Sequence, residues 1–283
     1  MALEKVLARS GRGRQSPDPA PVSAPQVESG AGSAGAGRAM SMTPSGPAPG
    51  APPVDVPTIP LDSGAIPQLG FGTYKIAPDE AQSAVATALE LGYRHIDTAT
   101  MYGNEAGVGR ALAASGIPRD QLFVTTKLWI QDAGEGRTRA AFERSLARLG
   151  LDYLDLYLIH QPFGDVDGAW RDMEALLHEG RVRAIGVSNF SAEQMAQVSE
   201  VGKIDAHQLC YNLYWRAAEA EVIPWCVAND VAVVTYSSIA QGVLTGKFPR
   251  EPQFKEGDDR GKTLLFKPEV WPHVYEGVEQ LKA

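Results

Sequence analysis

GFGTYK, residues 70–75, carries the first two glycines of a dinucleotide-binding turn but has Lys75 where the third belongs. In a doubly wound α/β sheet the G-x-G-x-x-G turn follows the first strand. Its glycines give a tight bend, close backbone approach to pyrophosphate, and close packing of helix on strand. Lys75 removes the last of these. Polar residues recur instead at the ends of later extended runs, the arrangement of a closed barrel whose strands deliver side chains to one mouth.

On either side of this hexapeptide, short β-branched or apolar runs alternate with longer stretches of helical period, the signature of repeated βα units. Seven strands are predicted: QLGFGTY (68–74), HIDTA (95–99), FVTTKLW (123–129), DLYLIHQ (155–161), AIGVSNF (184–190), HQLCYNL (207–213) and VAVVTYSSI (231–239). Each interval leaves room for one helix. PDEAQSAVATALELG (78–92) is expected to open a helix at Pro78, followed by two acids, and to close it at Gly92. SAEQMAQVSEVG (191–202) places Ser191 at an N-cap. Ahead of the first strand, TIPLDSGAIPQL (58–69) reads as a hairpin turning at Asp62, Ser63 and Gly64.

The chain of 283 residues is 44% hydrophobic, enough for a large α/β core. A formal net charge of −8 gives no general attraction to phosphate backbones or anionic lipid, so neither nucleic acid nor a membrane is an expected partner. Cys210 and Cys226 have no metal-ligand spacing and no disulfide-rich setting, which fits two buried thiols in a reducing, cytoplasmic compartment. Residues 1–57 hold half of the 20 prolines, eight glycines and no aromatic residue. Such a segment cannot offset its ordering entropy by burial, so a disordered tail is expected, with a barrel domain over 58–283. Its opening lacks the apolar run of a secretory signal, and Met40 or Met42 is an alternative start.

Four polar residues stand at the ends of the second to fourth predicted strands: Asp97, Tyr102, Lys127 and His160. Singly, each has a bland reading: a helix cap, a packed aromatic, a solvated rim residue, a hydrogen-bonded core histidine. In one barrel mouth they make a proton-transfer site. A tyrosine with a reference pKa of about 10 needs a cationic neighbour to lower it, and Lys127 is expected to be that cation. Asp97 would hold Lys127 charged and oriented, and His160 would hydrogen-bond the oxygen on which charge develops. His95 shares the strand face of Asp97, an H-x-D metal pair in outline. No second histidine pair marks another strand end, so no metal is assigned.

The same residues carry a family resemblance. GYRHIDTATMYGNEAGVG (92–109) and MEALLHEGRVRAIGVSNF (173–190) fit the two signatures of the aldo-keto reductases, with LIHQP (158–162) and TYSSIAQGVLTGK (235–247) in support. From Ile59 to about Phe248 the chain resembles that family. The resemblance implies an α/β fold, the (β/α)8 TIM barrel, and an NADPH-dependent oxidoreductase that reduces aldehydes or ketones to alcohols. It implies Tyr102 as proton donor, its pKa lowered by Lys127 and Asp97, with His160 orienting the carbonyl. Ser188, Asn189 and Gln208 would bind the nicotinamide carboxamide and Tyr236 would stack on its ring. The loop through Ser237, Ile239 and Gln241 would approach the pyrophosphate, and Thr73 and Tyr74 would lie near the ribose and the substrate. Bland alternatives stand beside these: Asn189 as a helix cap, and Gln208 and Tyr236 as strand residues whose polar ends need some partner. Trp129 and Phe163 are candidate walls for a small carbonyl substrate, or simply core and rim packing.

After the last predicted strand the chain runs GVLTGKFPREPQFKEGDDRGKTLLFKPEVWPHVYEGVEQLKA (242–283), where only TLLF (263–266) passes for a strand. The helix, eighth strand, closing helix and basic 2′-phosphate segment that the family would add are not recognisable. The expectation is a barrel with its eighth unit missing, with truncation favoured over completion by a partner or a strained seven-stranded form, and monomeric unless a partner completes it. A non-catalytic cofactor-sensing subunit and an inactive truncated product are the alternative readings.

Overall fold

The computed structural model describes residues 56–282, so the tail predicted over 1–57, with its alternative starts, lies outside the described residues except for its last two positions. A hairpin of β1 (Thr58–Leu61) and β2 (Gly64–Pro67) comes first. Its register pairs Leu61 with Gly64, which leaves Asp62 and Ser63 as a two-residue turn. Gly64 begins β2 with φ +153°, a backbone open to glycine alone.

Seven strands then form one sheet in chain order, every neighbouring pair parallel, and curl into a TIM-type barrel. They are β3 (Gly70–Gly72), β4 (His95–Asp97), β5 (Phe123–Leu128), β6 (Leu154–Ile159), β7 (Val182–Ser188), β8 (Ala206–Cys210) and β9 (Ala232–Tyr236). All seven predicted strands are present; each ends earlier than predicted, and β6, β7 and β8 begin one or two residues earlier. β5 and β6 are buried at every residue, the condition of parallel strands covered on both faces. Inside the barrel, Ile66 of the hairpin packs with Phe123, Leu156, Leu158, Ala184 and Ala206 and closes the floor.

Six helices follow the strands: α1 (Ala81–Glu90), α2 (Glu105–Ala114), α3 (Arg137–Leu149), α4 (Val166–His178), α5 (Ala192–Ser199) and α6 (Val222–Ala228). Between them and the outward strand residues Ile96, Val124, Tyr157, Ile159, Ile185 and Val187 lies the main core, with Val85, Val108, Phe142, Trp170 and Met195 on the helix side. Each fully buried side chain of this kind contributes roughly 1.5–3 kcal/mol. Among the described residues no helix is long and apolar enough to cross a membrane.

Two local expectations need correction. α1 starts at Ala81 rather than Pro78, because Glu80 and Ala81 both donate to the Ala77 carbonyl and hold residues 78–80 in a turn. Its end is as read, with Gly92 at φ +98° turning the chain toward β4. TLLF supplies no eighth strand, in line with a barrel whose eighth unit is missing: Leu264–Phe266 is a 3₁₀ turn that buries Leu265 and Phe266 against Trp271, Val274 and Val278. A helix is present after the seventh strand, α7 (Trp271–Lys282), where the sequence shows no recognisable one. Its burial rests on aromatic contacts, Phe266 stacking on Trp271 at 4.8 Å, rather than on the barrel pattern.

Register positions the site. Asp97 in β4 is opposite Thr125, and Lys127 stands two residues further along β5 on the same face. Lys127 is opposite Leu158, and His160 lies two residues beyond Leu158, just past β6. Leu158 is opposite Gly186, with Ser188 two beyond. Ser188 is opposite Gln208, Gln208 opposite Val234, and Tyr236 two beyond that. The inward row climbs from strand to strand around the barrel, the stagger that barrel curvature brings. The sheet is only nearly closed: among the described residues β3 and β9, its two ends, are not paired with each other, as expected with the eighth unit missing. Gly186 permits this packing, since a Cβ there would stand 2.1 Å from the Ala206 carbonyl oxygen.

Candidate active site

Lys127 is wholly enclosed, which excludes a solvated rim role. Its Nζ donates to Asp97 Oδ1 at 2.6 Å and to the Thr98 carbonyl at 2.8 Å, and lies 3.5 Å from the Tyr102 hydroxyl. Tyr102 closes a 3₁₀ turn, Thr100–Tyr102, stopped by Gly103 at φ +70°. The second carboxylate oxygen of Asp97 accepts from Gln208 Nε2 at 2.8 Å, so Asp97 is a strand-end anchor and not a helix cap. His160 lies edge-on to Tyr102 at 5.7 Å and to Trp129 at 5.2 Å. Its Nδ1 is buried without a partner among the described residues, which leaves Nε2 as the nitrogen able to serve a ligand oxygen. Burial, then the Lys127 ammonium, lowers His160 to about 4 against the opposing pull of Asp97, so the ring is neutral at neutral pH.

Around the tetrad, Tyr74 is exposed and tilts over Tyr102 at 5.1 Å, while Phe163 is exposed without a ring contact to the group. Thr73 is fully buried. Ser188 and Gln208 are buried, and Asn189 adopts φ +64°. Asn189 does not cap α5; Ser191 does, in a capping box with Gln194. The Asn189 amide donates to the His160 carbonyl at 3.1 Å and to Ser188 Oγ at 3.0 Å, and its oxygen accepts from Tyr236 at 2.8 Å. The Ser188 hydroxyl hydrogen and Gln208 Oε1 remain open, with no bond among the described residues. Beyond β9, Ser237, Ala240 and Gln241 all have left-handed backbones, at φ +54°, +48° and +56°, and Ile239 is exposed. Such strain in non-glycine residues persists only where the surroundings enforce it. Asn212 does so here, donating to the Ser237 carbonyl at 3.0 Å.

A family model described as the aldo/keto reductase family matches residues 68–283. The chain belongs to the aldo/keto reductase family. An aldo-keto reductase of Mycobacterium ulcerans is 44% identical over 249 residues, covering 80% of this chain and 86% of that one. The crystal structure of an aldo/keto reductase from Brucella melitensis is 43% identical, with a TM-score of 0.63 over 67% of this chain and 77% of that one. An aldo-keto reductase of Bombyx mori, solved in complex with NADP, is 34% identical, with a TM-score of 0.63 over 75% of each chain.

In this aldo/keto reductase the expected lowering of the Tyr102 pKa is reversed. Burial first, then the negative charge of Asp97, raises it above the ordinary tyrosine range. Asp97 holds the short contact to Lys127, and the phenol is left with the longer one. His95 is not aimed at the mouth: its Nε2 meets Thr125 Oγ1 at 2.9 Å and its ring packs on Phe123 at the floor. Cys226 is buried, but Cys210 is only half-buried. Three residues went unremarked as supports. Asn104 is buried, as is Glu105, whose carboxylate accepts from Thr126 Oγ1 and pairs with Arg148. His207, buried under the Ser188–Asn189 turn, accepts the Phe190 N–H at 3.2 Å. An asparagine before a helix reads as a cap and a histidine inside a strand reads as core, so sequence gave no signal for Asn104 or His207.

Proposed function

We propose that the chain is an NADPH-dependent reductase of small aldehydes or ketones in which Tyr102 is the proton donor. The observation that carries this reading is the enclosed Lys127 ammonium, in contact with both Asp97 and the Tyr102 phenol. A phenol whose pKa is raised keeps its proton at neutral pH, as a donor must. When the proton leaves, Lys127 stabilises the phenolate, and Asp97, held by Gln208, keeps the ammonium in place. Neutral His160 supplies an N–H to the carbonyl oxygen and orients it toward Tyr102. Trp129, edge-on to His160, and Tyr74, tilted over Tyr102, are the apolar surfaces a substrate would meet, with Phe163 exposed at the rim.

NADPH, when bound, supplies the hydride. The groups left open fit its carboxamide: the Ser188 hydroxyl can donate and Gln208 Oε1 can accept. Asn189, engaged at both ends by the protein, holds the turn. Tyr236, part of its surface open, offers a ring face, and the loop through Ser237, Ile239 and Gln241 would approach the pyrophosphate, with Thr73 and Tyr74 near the ribose and the substrate. The NADP complex of the silkworm relative supports this choice of cofactor.

Tyr102→Phe tests the reading. Turnover with an aldehyde panel, followed by loss of reduced nicotinamide absorbance, should fall by about 10²–10⁴-fold, while NADPH still quenches tryptophan fluorescence. A variant that keeps most of its turnover removes Tyr102 from the role. Binding without turnover in the unaltered chain favours a cofactor-sensing subunit instead.

A further inference from the structure

Asn104, two residues past Tyr102, stands at the N-cap position of α2, yet its side chain makes no capping bond. A capping asparagine ordinarily contributes about 1 kcal/mol to a helix. Here the amide is turned inward and filled at every position. Its Nδ2 donates to the Thr73 carbonyl at 2.9 Å and to the Ile76 carbonyl at 3.1 Å. Its Oδ1 accepts from Thr98 Oγ1 at 2.9 Å and from Thr73 Oγ1 at 3.4 Å. Only 1% of Asn104 is exposed, so each of these bonds replaces water that cannot enter.

The partners lie on three pieces of the mouth: the loop after β3, the end of β4, and, through the Asn104 backbone, the turn that carries Tyr102. Thr98 extends the link, since its hydroxyl donates to Asn104 while its carbonyl accepts from Lys127 Nζ. We propose that Asn104 is a positioning residue for the reductase reaction, clamping the Thr73–Tyr74 ledge and the Lys127 seat to the Tyr102 turn. It rests on the assignment of Tyr102 as proton donor. An aspartate at this place would turn oxygens toward the Thr73 and Ile76 carbonyls, so the clamp requires an amide. A misplacement of about 1 Å at a reacting group can cost on the order of 10²-fold in rate.

The test uses Asn104→Ala and the isosteric Asn104→Asp in the full chain, with Asp155→Asn as a control at the barrel floor. Asp155 is buried, accepts the Val124 N–H and pairs with Arg119 and Arg183 away from the mouth. Both Asn104 variants should lose about 10–100-fold in kcat/KM at temperatures where they are folded, whereas Asp155→Asn melts earlier but turns over normally. The second readout needs no turnover: the Tyr102 phenol is titrated by ultraviolet difference against Tyr102→Phe in each background. In Asn104→Ala its titration should move back down toward the ordinary tyrosine range as the phenol loses its buried seat. Normal turnover with an unmoved titration overturns the proposal, as does an equal loss of turnover in Asp155→Asn. If Tyr102→Phe itself remains active the proton-donor assignment fails, and the titration still decides whether Asn104 holds the phenol. Should the alanine variant not fold, Asn104→Ser, which keeps one polar group, takes its place in both readouts.

Discussion

Replacing Asp97 by asparagine isolates the electrostatics of the site. The substitution keeps an oxygen for Lys127 Nζ but removes the one carboxylate bonded to it among the described residues, at 2.6 Å. Lys127 has no exposed surface, and its remaining partners are the Thr98 carbonyl at 2.8 Å and the Tyr102 hydroxyl at 3.5 Å, neither of which carries charge. A buried ion left without its counter-ion costs about 3–5 kcal/mol. With a urea dependence of roughly 3 kcal/mol per molar for a domain of this size, the unfolding midpoint should fall by about 1–1.7 M. The assay is urea unfolding followed by circular dichroism and tryptophan fluorescence. Asp62→Asn is the reference, since it removes the carboxylate from the exposed Lys203–Asp62 pair and should barely move the midpoint. Asp97→Asn combined with Lys127→Met removes the stranded charge as well, so the double variant should be more stable than Asp97→Asn alone. A midpoint for Asp97→Asn no lower than that of Asp62→Asn, or a double variant less stable than the single, refutes the buried-charge reasoning.

Two further outcomes follow from the same geometry. His95, His160 and His207 are each held at about 4 in the folded chain, with burial as the first cause. The unfolded chain titrates them near 6.5, so it binds more protons between these values; stability is full above about 6.5 and is lost as pH falls toward 4, by up to about 1.4 kcal/mol per pH unit per histidine. Asp155 and Asp205, raised by burial, act in the opposite sense just above their ordinary range. Urea midpoints measured stepwise downward from neutral pH should decline, and His207→Asn should flatten the decline; a level profile contradicts the burial argument. Ser191→Ala removes the capping box of α5 and should cost about 1 kcal/mol in thermal unfolding with NADPH affinity retained, whereas a loss of affinity would tie the cap to the Asn189 turn.

The strands were legible because a parallel barrel needs apolar, β-branched runs at intervals that fit one helix, as FVTTKL and LDLYLI show. Strand alternation also places Asp97, Lys127 and Tyr236 on the inward face once the register is known. What sequence cannot rank is competition at sub-ångström scale. The direction of the Tyr102 shift follows first from the burial of the phenol and then from the nearness of Asp97, and residue spacing carries neither burial nor distance. The start of α1 was missed because an acidic first turn reads alike whether it is helical or held on the Ala77 carbonyl. The turn at TLLF was not legible because a short apolar run before a proline has too few residues to reveal its period, and its burial against Trp271 comes from a partner further along the chain.

The climb of the inward row from strand to strand means that no local piece of the chain contains a working set of these residues. Gln208 reaches Asp97 across 111 residues of sequence, and Tyr236 reaches Asn189 across 47. Contacts of such separation form only after their loop-closure entropy has been met by many others. A refolding chain could therefore regain nearly all of its helical circular dichroism while Asp97 still lacks Gln208. Recovery of the whole hydrogen-bonded row marks the last strands coming into register, which makes the site a built-in reporter of when the sheet is finished.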